Sequence, residues 1–200
     1  MNRYRLPGSD PVGELAHTRT IGVLELTSIA RGWAAIDAMV KAAPLTVIDA
    51  TAAQPGKFLI VVTGGVAAIE AAVAVGVRES GRSLFDSVVI PNLSPEVPAA
   101  INRTVAVEAD DTIAVIESFS AVSAIAAADS ALKHGAVSLD SITLLDGIGG
   151  KAVVLLAGIR ADVESAVAAA RAAIPDQMFV EATVISEFSA ELSALLPGRR

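Results

Sequence analysis

The sequence predicts an α+β fold: two tandem ferredoxin-like modules of β-α-β-β-α-β order, each with a C-terminal short helix. Three observations carry that expectation. Residues 21–101 resemble residues 113–196, so the chain is a tandem duplication. Each half alternates short runs of branched apolar residues with longer stretches of helical periodicity. Gly, Pro and Ser stand between these runs, where turns and caps are wanted.

The repeat is positional. At an offset of 92, Glu25 meets Glu117, Ser28 meets Ser120, Asp37 meets Asp129 and Lys41 meets Lys133. The offset grows by two to align Gly56-Lys57 with Gly150-Lys151, Gly64 with Gly158 and Glu70 with Glu164. One more residue of drift brings Ile90 to Ile185, Ser94 to Ser189 and Glu96 to Glu191. Drift this small belongs in loops. The expected organisation is a tail at 1–19, a first module at 20–101, a polar connector at 102–111, a second module at 112–196 and a tail at 197–200.

In each half the first strand is a branched run with one polar position, residues 21–26 and 113–117. Ser28 and Ser120 then stand where a helix N-cap acceptor is needed. In the first helix Ile29, Trp33, Ile36 and Val40 share one face, and Val122, Ile125 and Leu132 do so in its repeat. These stripes, Trp33 included, are expected to be core. Residues 45–51 and 137–144 read as second strands, and 57–63 and 151–157 as near-continuous apolar third strands. Gly64-Gly65 and Gly158 break them, and helices at 66–80 and 159–173 follow with stripes Ile69, Val73, Val77 and Val163, Val167, Ile174. Short last strands lie at 87–90 and 182–185. Ser94-Pro95 places a cap and a first-turn proline ahead of the terminal helix.

Composition excludes several classes. The chain is 53% hydrophobic and 18% charged with a mean hydropathy of +0.59, which rules out disorder. Its apolar runs are strand-length, far short of the roughly 20 residues a membrane helix needs. A net charge of −7 argues against nucleic acid, whose phosphates call for surplus Lys and Arg. No cysteine means no disulfide framework and no thiolate metal cage, and His17 and His134 alone cannot build a histidine site, so no metal and no cofactor are expected. Residues 1–19 hold no apolar run of seven, so a signal peptide is not expected. Pro7 and Pro11 also disfavour a targeting helix there. With 39 Ala and 24 Val against 4% aromatics, the core is built of small side chains and expected to be supplemented by oligomerisation.

The residues resemble a known family. The run GVLELTSIARG at 22–32, AMVKAA at 38–43 and QPGK at 54–57 are similar to a bacterial microcompartment shell domain. The second half repeats the pattern with Ile116-Glu117, DSALK at 129–133 and GIGGK at 147–151. Two such domains resemble the tandem-domain, trimer-forming class in unpermuted order. The resemblance implies a non-enzymatic cytoplasmic shell protein: a homotrimeric, single-layer, pseudo-hexagonal facet tile. It would sit beside hexameric and pentameric shell proteins and pass small polar metabolites through a central pore.

It also implies sites. The loop between strands two and three rings the pore, which carries over to Gln54, Pro55 and Gly56 in one half and Gly147, Ile148, Gly149 and Gly150 in the other. Glycines let backbone N–H groups face the lumen. Because the two loops differ, the pore is expected to be threefold. Lys41 and Lys133 match the family's tile-edge lysine, with Asp37 and Asp129 one turn earlier as orienting partners. The family's arginine after the last strand is missing: Asn92 and Glu187 stand there. Some tandem members hold an iron–sulfur cluster through cysteine, which this chain lacks. Lys57 and Lys151 do not complete a phosphate loop, since Phe58 and Ala152 follow them in place of Ser or Thr. Glu25 and Glu117 have no catalytic partner in view and read as structural carboxylates. The rival from another class is a ferredoxin-like oligomeric sensor binding an anion or nucleotide at the same glycine loops.

Overall fold

The computed structural model describes residues 20–101, 112–145 and 147–193; the expected connector and both tails lie outside the described residues. The chain divides into two compact units, Met1–Leu93 and Ser94–Arg200. In the first, β1 (Thr20–Leu26), α1 (Ile29–Ala42), β2 (Thr46–Ala53), β3 (Lys57–Thr63), α2 (Val66–Ser80) and β4 (Leu84–Pro91) follow in the expected order. The second unit opens with α3 (Glu96–Ala100). It then repeats the order with β5 (Thr112–Ser118), α4 (Ala121–His134), β6 (Ser138–Leu144), β7 (Ala152–Gly158), α5 (Arg160–Ala173), β8 (Phe179–Ser186) and α6 (Ala190–Ser193).

Each unit holds one antiparallel four-stranded sheet, ordered β2-β3-β1-β4 and β6-β7-β5-β8. Each long helix joins two strands that have a third between them, the split arrangement of a ferredoxin-like module. The central β1 is buried at all seven positions and β3 at six of seven, which is why their sequences run apolar without alternation. The duplication extends to irregularities. Both second strands bulge at the same place, between Val47 and Asp49 and between Leu139 and Ser141. The two-residue drift falls in the β6–β7 loop, and the single-residue drift in the turn before β8.

Ser28 and Ser120 cap their helices as expected, accepting from the Arg31 and Ser123 amides. The last strands are longer than expected, because pairing to the central strand extends them over Leu84–Pro91 and Phe179–Ser186. Pro95, not Ser94, takes the N-cap position of α3, and no side chain caps it. The Ser94 amide is committed elsewhere.

Of the expected stripe on α1 only Ile36 is buried. Gly32, Ala35, Ile36 and Met39 face the sheet, while Ile29, Trp33 and Val40 are exposed and Trp33 is 51% accessible. In an alanine-rich helix two adjacent faces satisfy the same apolar period, and the smaller one lies closer to the sheet. A Cβ added at Gly32 would stand 2.2 Å from the Phe58 ring, so only glycine admits that approach. The core of the first unit is Leu24, Leu26, Phe58, Ile60 and Val62 of the sheet against Ala35, Ile36, Met39, Ile69, Ala72 and Val73 of the helices.

Candidate functional site

The two hairpin loops expected to ring a pore occupy equivalent positions, each at the β2–β3 type turn of its own unit. In the first, the Gly56 amide donates to the Ala53 carbonyl at 2.9 Å and Gly56 has φ 99°. Gln54, Pro55 and Gly56 are all exposed, and the Gln54–Pro55 peptide is cis. The second loop is longer. Leu145 donates to Lys151 at 2.9 Å and accepts from Gly150 at 3.1 Å, closing it on itself. Gly147, Gly149 and Gly150 have φ of 81°, 67° and 78°, a conformation that side chains disfavour. Around Gly147 and Gly149 a Cβ would meet nothing within 4 Å, so the backbone angle is what calls for glycine there. Ile148 is half-buried and Asp146 lies outside the described residues.

At the root of each loop stands an ion pair that sequence reasoning missed. Lys57 Nζ lies 2.5 Å from Glu25 Oε1, with Glu25 fully buried and the Lys57 side chain 12% exposed. Lys57 also sits 3.9 Å from the centroid of the Phe85 ring. Lys151 meets Glu117 at 3.0 Å in the second unit, where both side chains are more than one-third exposed. The register explains the pairing. Glu25 opposes Leu59 and Glu117 opposes Val153, so each lysine, two residues earlier on the partner strand, falls on the same face. The signal was present in the repeat, since both halves retain the Glu and the Lys together. Glu25 and Glu117 are structural carboxylates that tie the hairpin to the central strand.

The lysines expected at a tile edge end their helices. Lys41 Nζ is 2.6 Å from Asp37 Oδ2, and Lys133 Nζ is 2.6 Å from Asp129 Oδ2. The first pair is exposed. In the second, Asp129 is buried and its other oxygen accepts from the Ser94 amide at 2.8 Å, so it positions Lys133 from below. Asn92 and Glu187, in place of the missing arginines, both adopt left-handed backbone, with φ of 54° and 52°. Among the described residues no group of three or more His, Asp or Glu is arranged to hold a metal ion. No helix among them is long and apolar enough to cross a membrane.

Comparison with known proteins agrees with the fold and the repeat. The BMC domain family matches residues 20–93 and again residues 112–188. The chain is 39% identical over 153 residues to the bacterial microcompartment shell protein PduT of Citrobacter freundii, covering 76% of this chain and 83% of that one. It superposes on the crystal structure of a microcompartments protein from Desulfitobacterium hafniense DCB with a TM-score of 0.72 and 39% identity, covering 87% of this chain and 97% of that one. The fused permuted hexameric shell protein MSM0275 of the RMM microcompartment gives a TM-score of 0.61 over 87% of this chain and 93% of that one. At 17% identity that likeness concerns the fold alone. With two copies of the domain matched in one chain, the protein belongs to the BMC family as a tandem-domain structural shell protein of a bacterial microcompartment, not an enzyme.

Proposed function

We propose that the chain assembles as a homotrimer of six BMC domains, a pseudo-hexagonal facet tile that sits laterally beside hexameric and pentameric shell proteins. Gln54, Pro55 and Gly56 alternate with Gly147, Ile148, Gly149 and Gly150 around a central pore that passes small polar metabolites. The carrying observation is that a hairpin turn recurs at the equivalent place in both units, with Gln54, Pro55, Gly56, Gly147 and Gly149 exposed and left-handed glycine backbone in each turn. The Gly147, Ile148 and Gly149 amides of the longer turn offer donors to a passing anion without a fixed charge that would hold it. The turns differ in length and in sequence, so a ring of six loops has threefold symmetry. Lys41 and Lys133, each oriented by an aspartate one turn earlier, form the outer edges of the tile and meet neighbouring tiles.

A closed threefold ring has a definite mass. The test is solution mass at micromolar concentration, where the trimer is three times 20.3 kDa. A particle that stays at the monomer mass over this range refutes the reading. The pore is tested separately by reconstituting shells with Ile148→Arg, which should alter the passage of anionic metabolites relative to neutral ones. Unchanged flux for both would remove these residues from the pore.

A further inference from the structure

One segment of the repeat is packed at Val97 and Ala100, while among the described residues of its second copy Leu192 is exposed. Residues 94–101 follow β4 in sequence, yet they pack within the second unit, where α3 lies against β6 and α4. Ser94 donates its amide to Asp129 at 2.8 Å, Val97 and Ala100 are completely buried, and Ile101 bridges Ile142 in parallel fashion. On α4, Ala121, Ile125 and Asp129 are correspondingly buried, and so is most of β6.

The first unit presents the same face uncovered. Ile29, Trp33 and Asp37 are the repeat equivalents of Ala121, Ile125 and Asp129, one helical turn apart on one face of α1. Ile29 is 41% exposed, Trp33 51% and the Asp37 side chain 62%, and β2 is only partly buried along its length. The chain also holds a second copy of the covering segment. Ser189, Glu191 and Leu192 align with Ser94, Glu96 and Val97, and Leu192 is 50% exposed where Val97 is buried. A helix face with three exposed apolar or acidic positions and a segment with an exposed leucine are thus the two halves of a contact already made once inside the molecule.

We infer that the segment around Ser189–Leu192 of one copy docks on the α1 and β2 face of the next copy. The Ser189 amide meets the Asp37 carboxylate, and Leu192 takes the place that Val97 holds in the second unit. This rests on the proposed trimer and specifies how its protomers hold one another. Such a contact is head-to-tail, so it closes into a ring at the angle the assembly sets and leaves neither surface free. Asp37 then has the same two tasks as Asp129, orienting a lysine with one oxygen and holding the neighbouring segment with the other.

The chain has no cysteine, so an introduced pair reports this contact alone. Asp37→Cys with Ser189→Cys, mildly oxidised as the assembled protein, should give covalent species of three chains on non-reducing denaturing gels. Either single variant should stay at one chain. Leu192→Glu should raise the concentration at which trimers dissociate tenfold or more. Trp33, the only tryptophan, should shift its emission to longer wavelength in that variant as its surroundings become wet. A double-cysteine trimer that does not cross-link, a cross-link within one chain, or Leu192→Glu trimers as stable as wild type would overturn the docking and leave the trimer standing. A wild-type chain that is monomeric by mass overturns both. A cross-linked ladder running beyond three chains supports the docking and refutes closure at three.

Discussion

Replacing Lys57 by methionine removes the partner of a carboxylate that has no access to water. Glu25 lies on the central strand, fully buried, with Lys57 Nζ at 2.5 Å and the Lys57 side chain only 12% exposed. Removing one member of a buried pair costs about 3–5 kcal/mol, because the remaining charge loses its ion-pair partner where solvent does not reach it. Loss of the cation over the Phe85 ring adds roughly 0.5–2 kcal/mol. For a chain of this size each kcal/mol lowers Tm by about 2–4 °C, so the fall should be on the order of 10 °C. The equivalent Lys151→Met breaks a pair whose members are 40% and 34% exposed, and solvent screening holds its cost to about 1 kcal/mol or less. Urea unfolding of the two variants measures the contrast, provided m is unchanged. A further arm isolates the cause. Glu25→Leu combined with Lys57→Met replaces the pair with apolar groups and should recover most of the loss, since such replacements are often neutral or stabilising. If Lys57→Met costs no more than Lys151→Met, or if the double variant is as unstable as the sum of the singles, the hairpin is not anchored by this pair.

Changing Lys41 and Lys133 together to alanine should leave trimers intact while weakening sheets seen by electron microscopy; loss of the trimer itself would show that the lysines are not at the tile edge. The exposed Lys41–Asp37 pair is worth only about 0.3–0.5 kcal/mol, so Lys41→Ala alone should barely move the unfolding midpoint. Gly32→Ala drives a Cβ to 2.2 Å from the Phe58 ring and should destabilise by about 1–3 kcal/mol as α1 is pushed off the sheet; a neutral result would mean that Phe58 swings away freely. Glu187 carries a left-handed backbone that costs an ordinary side chain roughly 1–2 kcal/mol. Glu187→Gly should therefore raise stability by about 0.5–1 kcal/mol in thermal unfolding, and a loss would show that the carboxylate has an offsetting contact.

Much of the architecture was legible in the residues. The strands came from branched apolar runs, the helix starts from Ser28 and Ser120, and the loop positions from the places where the repeat drifts. The loops themselves were legible in outline, because glycines at 147, 149 and 150 signal positive φ wherever they fall. The α1 face was misread for a physical reason. With Ala34, Ala35, Ala38 and Ala42 spread around the helix, a 3.6-residue period marks two neighbouring faces equally, and the larger residues on one of them drew the assignment. The Glu25–Lys57 pair was missed because strand register, which brings those residues to one face, is not a local property of either strand.

What the sequence by itself determined is the duplication, the order of elements in each copy and the chemistry at the loops and helix ends. These depend on local periodicity, caps and backbone preference, which neighbouring residues encode. The tertiary structure alone decided which helix face meets the sheet, which lysine balances the buried glutamate, and that residues 94–101 pack within the second unit. Each of these is a choice among surfaces of similar composition. Such choices are settled by how closely small residues let elements approach and by which buried polar groups must find partners, and both are fixed only once the distant parts of the chain have come together.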